Sequence, residues 1–141
     1  MPGDLTGLEF GENVSVDPER LNRLYLVVGW DETGRRTAQE TLEMLEVSRY
    51  YISAHTESGD LVGFARVCGD PYVAQVLDVI TDPGHRRRGI ASRCMARVKG
   101  HLVESSYVSV TLTDGTCLPH FYEAFGFRFV SSDTPTRVWR R

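Results

Sequence analysis

At 141 residues and 15.9 kDa the chain has the size of one domain, 1–141, and its 41% hydrophobic and 25% charged residues are ordinary for a globular protein. A net charge of −3 and an isoelectric point near 5.8 argue against a nucleic-acid partner, and no stretch approaches the roughly 18 apolar residues that cross a membrane. Lys99 is the only lysine beside 15 arginines; lying between Val98 and Gly100, it cannot serve a Walker-type phosphate loop, which needs Gly-Lys-Ser/Thr.

Leu8 to Val16 alternates weakly and is read as a first strand. Asp17-Pro18 then gives an N-cap followed by proline at the first helical position, and Leu21, Leu24, Tyr25 and Val28 form one apolar face that ends at Gly29. Thr37-Ala-Gln-Glu40 is a capping box opening a second helix with Ala38, Leu42 and Leu45 as its buried stripe. Tyr50 to Thr56 and Leu61 to Cys68, joined by Glu57-Ser-Gly-Asp60, read as an antiparallel hairpin, and Val73 to Thr81 as the next strand. Ile90, Cys94, Val98 and Leu102, flanked by Ala91 and Met95, give a longer helix; Tyr107 to Thr113 has β-branched residues at alternate positions. Leu118, Phe121, Tyr122 and Phe125 make a short helix closed by Gly126, and Phe127 to Ser131 and Thr136 to Arg140 read as closing strands. The order β-α-α-β-β-β-α-β-α-β-β predicts an α+β domain, a mixed and mostly antiparallel sheet with helices on both faces.

Cys68, Cys94 and Cys117 are odd in number and lack C-x-x-C spacing, so neither structural zinc nor a disulfide framework is expected, and a reducing cytoplasm is the default compartment. His55, His85, His101 and His120 form no H-E-x-x-H, and G-x-S-x-G is absent; no metal site is expected. Met1 to Phe10 does not read as a signal peptide.

The segment richest in chemistry runs from Leu77 to Ala91. A strand ends at Thr81, Asp82-Pro83-Gly84 turns the chain, and Arg86-Arg87-Arg88-Gly89 opens a helix. Glycine at a helix mouth lets backbone approach a ligand, while the first free N–H groups and the positive end of the dipole favour an anion. Three arginines add charge there, so Arg86 to Ala91 is a candidate diphosphate-type site. The plainer alternative is a tight strand-to-helix turn with solvated arginines.

Arg86-x-x-Gly89-x-Ala91, after Asp78-Val-Ile-Thr-Asp-Pro83, resembles the (Q/R)-x-x-G-x-(G/A) signature of the GNAT superfamily of N-acetyltransferases. Phe121-Tyr-Glu-Ala-Phe-Gly-Phe127 is similar to that superfamily's C-terminal aromatic-Tyr-Glu-x-x-Gly-Phe segment, and the resemblance spans about Leu21 to Phe127. Upstream, Leu24-Tyr25 with Val28-Gly29-Trp30, and Leu61 to Arg66, resemble compact bacterial and plastid members, some of arylalkylamine type.

The resemblance implies acetyl-CoA as co-substrate and no metal. It implies a pyrophosphate cradle at Arg86, Arg87, Arg88, Gly89, Ile90 and Ala91, with Ser92, and main-chain contacts to the pantetheine arm from Val79, Ile80 and Thr81. A bulge in that strand would open a V-shaped cleft, and a backbone N–H of Ile80 or a neighbour would hold the thioester oxygen; losing such a donor costs about 10²–10³ in rate. Tyr122 maps onto the general acid that protonates the leaving thiolate, a phenol of pKa about 10 facing a thiol near 8.5. By pattern alone Tyr122 is a core aromatic.

Asp78 is the nearest candidate base for the acceptor ammonium and, equally, a carboxylate paired with an arginine; His120 and Asp114 flank the same region. Cys94, on a buried helix face, is not expected to carry the acyl group. Two features depart from the pattern: Gly115 stands where an asparagine is common, and Pro119 precedes the Phe-Tyr pair.

The expected activity is direct transfer of an acetyl group to a small-molecule primary amine, with Trp30, Asp31, Glu32, Tyr50 and Tyr51 on the acceptor side. Acetylation of a protein N-terminus or lysine, and a non-catalytic acyl-CoA sensor, are the alternatives. Homodimers are frequent in the superfamily, and the closing strands near Val138 could pair between chains.

Overall fold

Short-range hydrogen bonds set most element boundaries in the computed structural model, which describes residues 3–114, 118–130, 137, 139 and 140. Strand β1 (Leu8–Glu12) ends at Asn13, whose φ of 54° turns the chain. Helix α1 (Pro18–Val27) begins where the Asp17 carboxylate accepts the Glu19 N–H at 2.9 Å. Helix α2 (Ala38–Val47) begins where Thr37 Oγ1 accepts the Glu40 N–H at 3.2 Å. Both caps are those expected from the sequence.

Strands β2 (Tyr50–Thr56), β3 (Leu61–Gly69) and β4 (Val73–Thr81) come next, then a 3₁₀ turn (Pro83–His85), α3 (Ile90–Glu104), β5 (Ser109–Leu112) and α4 (Pro119–Glu123). Gly126, at φ 92°, closes α4, and the Phe127 N–H reaches back to the Tyr122 carbonyl at 3.2 Å. Among the described residues no helix is long and apolar enough to cross a membrane.

The five strands lie in sequence order in one sheet, antiparallel except for the parallel pair β4–β5. On one face α3 buries Ile90, Cys94, Met95 and Val98 against Ile52, Ala54, Val62, Val67 and Val76. On the other, Leu21, Leu24, Tyr25 and Leu45 of α1 and α2 cover Phe64 and Ile80. The fold is therefore the mixed α+β sheet with helices on both faces that the sequence predicts.

Four expectations are corrected. Leu42 is exposed; α2 turns Thr41 and Leu45 inward, because Thr41 Oγ1 donates to Asn22 Oδ1 of α1 at 2.5 Å and this polar pair sets the helix rotation. Arg86 to Gly89 precede α3 as loop, since residues Arg87 and Gly89 have positive φ that a right-handed helix cannot hold. The strand expected over Tyr107 to Thr113 is shorter, Ser109–Leu112. Residues 127–130 form no strand, and among the described residues no neighbouring strand pairs with them. Thr136 and Val138 of the last expected strand lie outside the described residues, as do Gly115 and Cys117.

Strand β4 is irregular on both edges. Val73–Val76 pair with Ser109–Leu112, after which β4 runs on to Thr81 with no continuing partner strand among the described residues. On its other edge, Phe64 faces Ile80 but Arg66 faces Leu77, so Asp78 and Val79 together oppose one β3 residue in a bulge, with Asp78 at φ 56°.

Helix α3 sits tightly on β3. A Cβ at Gly63 would fall 2.4 Å from Ile90 Cγ2 and 3.1 Å from Ala54 Cβ. Ile90 is β-branched and buried and cannot swing aside. Gly63→Ala is expected to destabilise the domain by about 1–3 kcal/mol through overpacking, read as a lower midpoint in thermal denaturation; an unchanged midpoint would mean that α3 is free to lift.

Candidate functional site

The loop between β4 and α3 is built from its own polar groups. Asp82 Oδ2 accepts the Gly84 N–H at 3.0 Å and contacts His85 Nδ1 at 2.8 Å, fixing the 3₁₀ turn. Arg87 (φ 65°) and Gly89 (φ 87°) are then both left-handed, a backbone form that curls successive N–H groups toward one point. Gly89 is the N-cap of α3 and offers no capping side chain, so the first amides of the helix remain available to an anion.

These amides open onto a cavity of about 630 Å³, a size suited to a small organic ligand. It brings together Val79, Ile80 and Thr81 from the unpaired end of β4, Arg86, Arg87, Gly89, Ile90, Ala91 and Ser92 from the loop and helix, and Tyr122 from α4. Val28, Trp30, His85, Leu118 and Phe121 complete the wall. Tyr122 is half-buried, its ring edge-on to Phe121 at 4.9 Å. Burial, then the negative charge of Asp114, raises its hydroxyl above the ordinary tyrosine value, so it holds its proton.

Two residues from the sequence-based set do not line this cavity. Arg88 turns outward: its Nε donates to the Asp4 carbonyl at 2.7 Å and its terminal nitrogen to the Thr6 carbonyl at 2.9 Å. Asp78 is one of the two bulged residues, and its Oδ2 accepts from Arg66 Nε at 2.6 Å and from the Tyr25 hydroxyl at 2.5 Å. The arginine-paired reading of Asp78 is the one its surroundings fit. His120 is almost fully exposed beside Glu123.

Tyr25 and Arg66 are the residues that sequence reasoning passed over. In the sequence Tyr25 stands in an apolar stripe, where it alone carries a polar tip, and both it and Arg66 fall in segments that resemble compact family members, with no role attached to either. It is fully buried, with the Arg36 guanidinium 3.6 Å over its ring, and burial followed by the Asp78 charge pushes its pKa far up.

A second cavity, about 590 Å³, lies between the α1–α2 loop and α2 and is lined by Trp30, Asp31, Glu32, Arg35, Arg36, Glu40 and Met44, among others. Trp30 lines both cavities. Asp31 also shapes the turn, accepting the N–H groups of Arg35 and Arg36. Tyr50 and Tyr51, expected on the acceptor side, are elsewhere: their hydroxyls donate to Glu12 and to the Val14 carbonyl. The Cys94 thiol is buried and pushed up to about 12, which leaves it inert as a nucleophile. Among the described residues no three His, Cys, Asp or Glu side chains are grouped to hold a metal ion.

The acetyltransferase (GNAT) domain family profile matches residues 31–137. No curated protein is significantly similar to the chain in sequence. Among solved structures, a protein of unknown function and probable acetyltransferase from meticillin-resistant Staphylococcus aureus superposes with a TM-score of 0.80 at 18% identity, over 95% of this chain and 99% of that one. A GNAT family acetyltransferase from Streptococcus pneumoniae gives 0.76 at 25% identity, over 95% and 98%. A Trypanosoma brucei acetyltransferase gives 0.74 at 17%, over 93% and 99%. The first and third of these likenesses are likenesses of fold.

The loop makes a direct prediction. Gly89→Ala places a side chain on a left-handed residue at a cost of about 1–2 kcal/mol, which the free loop escapes by relaxing and must restore on binding. Calorimetry should then show binding of a coenzyme A-type diphosphate weakened by about 5–30-fold. Undiminished affinity would remove the loop from the site.

Proposed function

The chain belongs to the GNAT acetyltransferase family and transfers an acyl group from acetyl-CoA, and from that premise we propose that the acceptor is a small primary amine that attacks the thioester directly while both substrates are bound. The observation that carries the reading is the single cavity in which the unpaired end of β4, the Arg86–Ser92 loop and the Tyr122 phenol meet.

The residues fit the co-substrate. Loop amides and the Arg86 and Arg87 charges would take the pyrophosphate, and main-chain groups of Val79, Ile80 and Thr81 would run beside the pantetheine arm. An N–H at Ile80 or a neighbour would hold the thioester oxygen as charge develops on it. Tyr122, protonated and half-buried, would give its proton to the departing thiolate. Inert Cys94 supports attack by the amine itself over an acyl-enzyme. No carboxylate among the described residues lines this cavity, which leaves the His85 imidazole of its wall, or water, to take the ammonium proton before attack.

The acceptor enters from the second cavity, which Trp30 joins to the first. Trp30 beside Glu32 and Glu40 would take a cationic arylalkylamine or polyamine, with Arg35 and Arg36 on the same wall restricting where the cation sits. Thiol release from acetyl-CoA across a panel of amines, protein N-terminal peptides and lysine peptides tests this. Turnover with peptides alone would move the acceptor to protein, and tight acetyl-CoA binding with no turnover would make the chain a sensor.

Tyr122→Phe should lower kcat by about 10²–10⁴ with little change in the Kd for acetyl-CoA; full activity would remove it as the acid. The pH profile is fixed in sign. A free aliphatic ammonium titrates at about 10.4, so the reactive neutral fraction, and kcat/KM for the amine, should rise about tenfold per pH unit from 7 to 9. Since the Tyr122 pKa is raised above the ordinary tyrosine value, no descending limb is expected over that range. A descending limb between pH 8 and 9 would assign the acid to another group.

A further inference from the structure

Asp78 is a non-glycine residue at φ 56°, inside a strand, at the bulge where β4 leaves its register with β3. Such a conformation is unfavourable for an L-residue and persists only where its surroundings hold it. Here the holding contacts are side chains. Asp78 Oδ2 takes one hydrogen bond from Arg66 Nε, across the sheet on β3, and one from the Tyr25 hydroxyl, from α1 above it. Arg66 and Asp78 side chains are only 14% and 15% exposed, so water competes weakly for the pair. Tyr25 is itself immobile: it is buried, Arg36 covers its ring, and Trp30 packs at a centroid distance of 6.4 Å. The next two residues, Val79 and Ile80, line the cavity.

We propose that Tyr25 is a positioning residue which, through Asp78, holds the β4 bulge in its left-handed form and so aims the Val79–Ile80 main chain at the reacting thioester. The inference rests on the acyl-transfer reading of the cavity. It assigns Asp78 the task of fixing backbone, and it links α1 to the strand that carries the chemistry. The phosphate loop is held by other contacts, so the lock governs the geometry of reaction and leaves the grip on the co-substrate untouched.

Three variants of the full chain test this: Tyr25→Phe, which removes one bond and keeps the ion pair, and Asp78→Gly beside Asp78→Ala, which leave Arg66 equally unpaired and differ in tolerance of positive φ. Tyr25→Phe should lower kcat at least tenfold with the KM for acetyl-CoA within twofold. Amide hydrogen exchange at residues 78–80 should quicken at least tenfold while α3 exchanges as before. Asp78→Gly should keep about tenfold more kcat than Asp78→Ala. The proposal is overturned if Tyr25→Phe leaves kcat and exchange at 78–80 unchanged, or raises exchange across the whole sheet and α3 together. It is equally overturned if the glycine and alanine variants are equally inactive while Tyr25→Phe is fully active, the pattern of a general base at Asp78. The exchange readout needs no turnover, so it decides on the lock even if no amine proves to be an acceptor.

Discussion

Strands β4 and β5 share a parallel hydrogen-bonded register for four residue pairs, Val73–Val76 against Ser109–Leu112, and then part. From Leu77 to Thr81 the outer edge of β4 has main-chain groups that no strand among the described residues satisfies, in a sheet interior where such groups are costly to leave unmet. A ligand able to pair with an extended backbone is the natural complement to that edge. The bulge at Asp78 bends the strand just as the partner is lost, and the residues after it, Val79 to Thr81, line the cavity. Remove the divergence and β5 would close the edge; the loop at Arg86 would remain, but with nowhere for the rest of the ligand to lie.

The anion end of the site works without lysine. Of the three consecutive arginines, Arg86 and Arg87 line the cavity while Arg88 is turned away to two carbonyls of the N-terminal segment. The sequence offers three equivalent charges at a helix mouth, but the left-handed residues on either side of Arg88 give them different directions. Most of the specificity then falls to backbone N–H groups, whose positions are set by φ and ψ and do not depend on long side chains finding a rotamer.

The fold was legible where a local signal coincided with a tertiary one. Asp17 and Thr37 cap the helices they were expected to cap, and the hairpin and β4 begin where the pattern of Tyr50, Leu61 and Val73 places them. Periodicity failed where polar pairing outweighed hydrophobicity: Leu42 should face inward by pattern, yet the bond from Thr41 to Asn22 turns α2 so that a threonine is buried and the leucine is not. The motif residues of the cavity were legible as a segment, and their order along the chain survives in space. Tyr25 was not, because its hydrogen-bond partner Asp78 lies 53 positions away, and no local pattern reports a hydrogen bond at that range.

The outward turn of Arg88 braces the loop from behind. A Cβ at Gly3 would fall 1.7 Å from the Arg88 carbonyl oxygen, so the N-terminal backbone lies directly on the loop and only glycine fits there. Arg88 grips the same segment at Asp4 and Thr6, tying the loop to the N-terminal segment. Ordering a loop opposes binding unless it is done beforehand. The N-terminal segment does this in the free chain by packing on the Arg88–Gly89 backbone. Tyr25 does the same for the bulge from above the sheet. Both devices lie behind the backbone they fix, which is why neither belongs to the lining of the cavity and why both shape it.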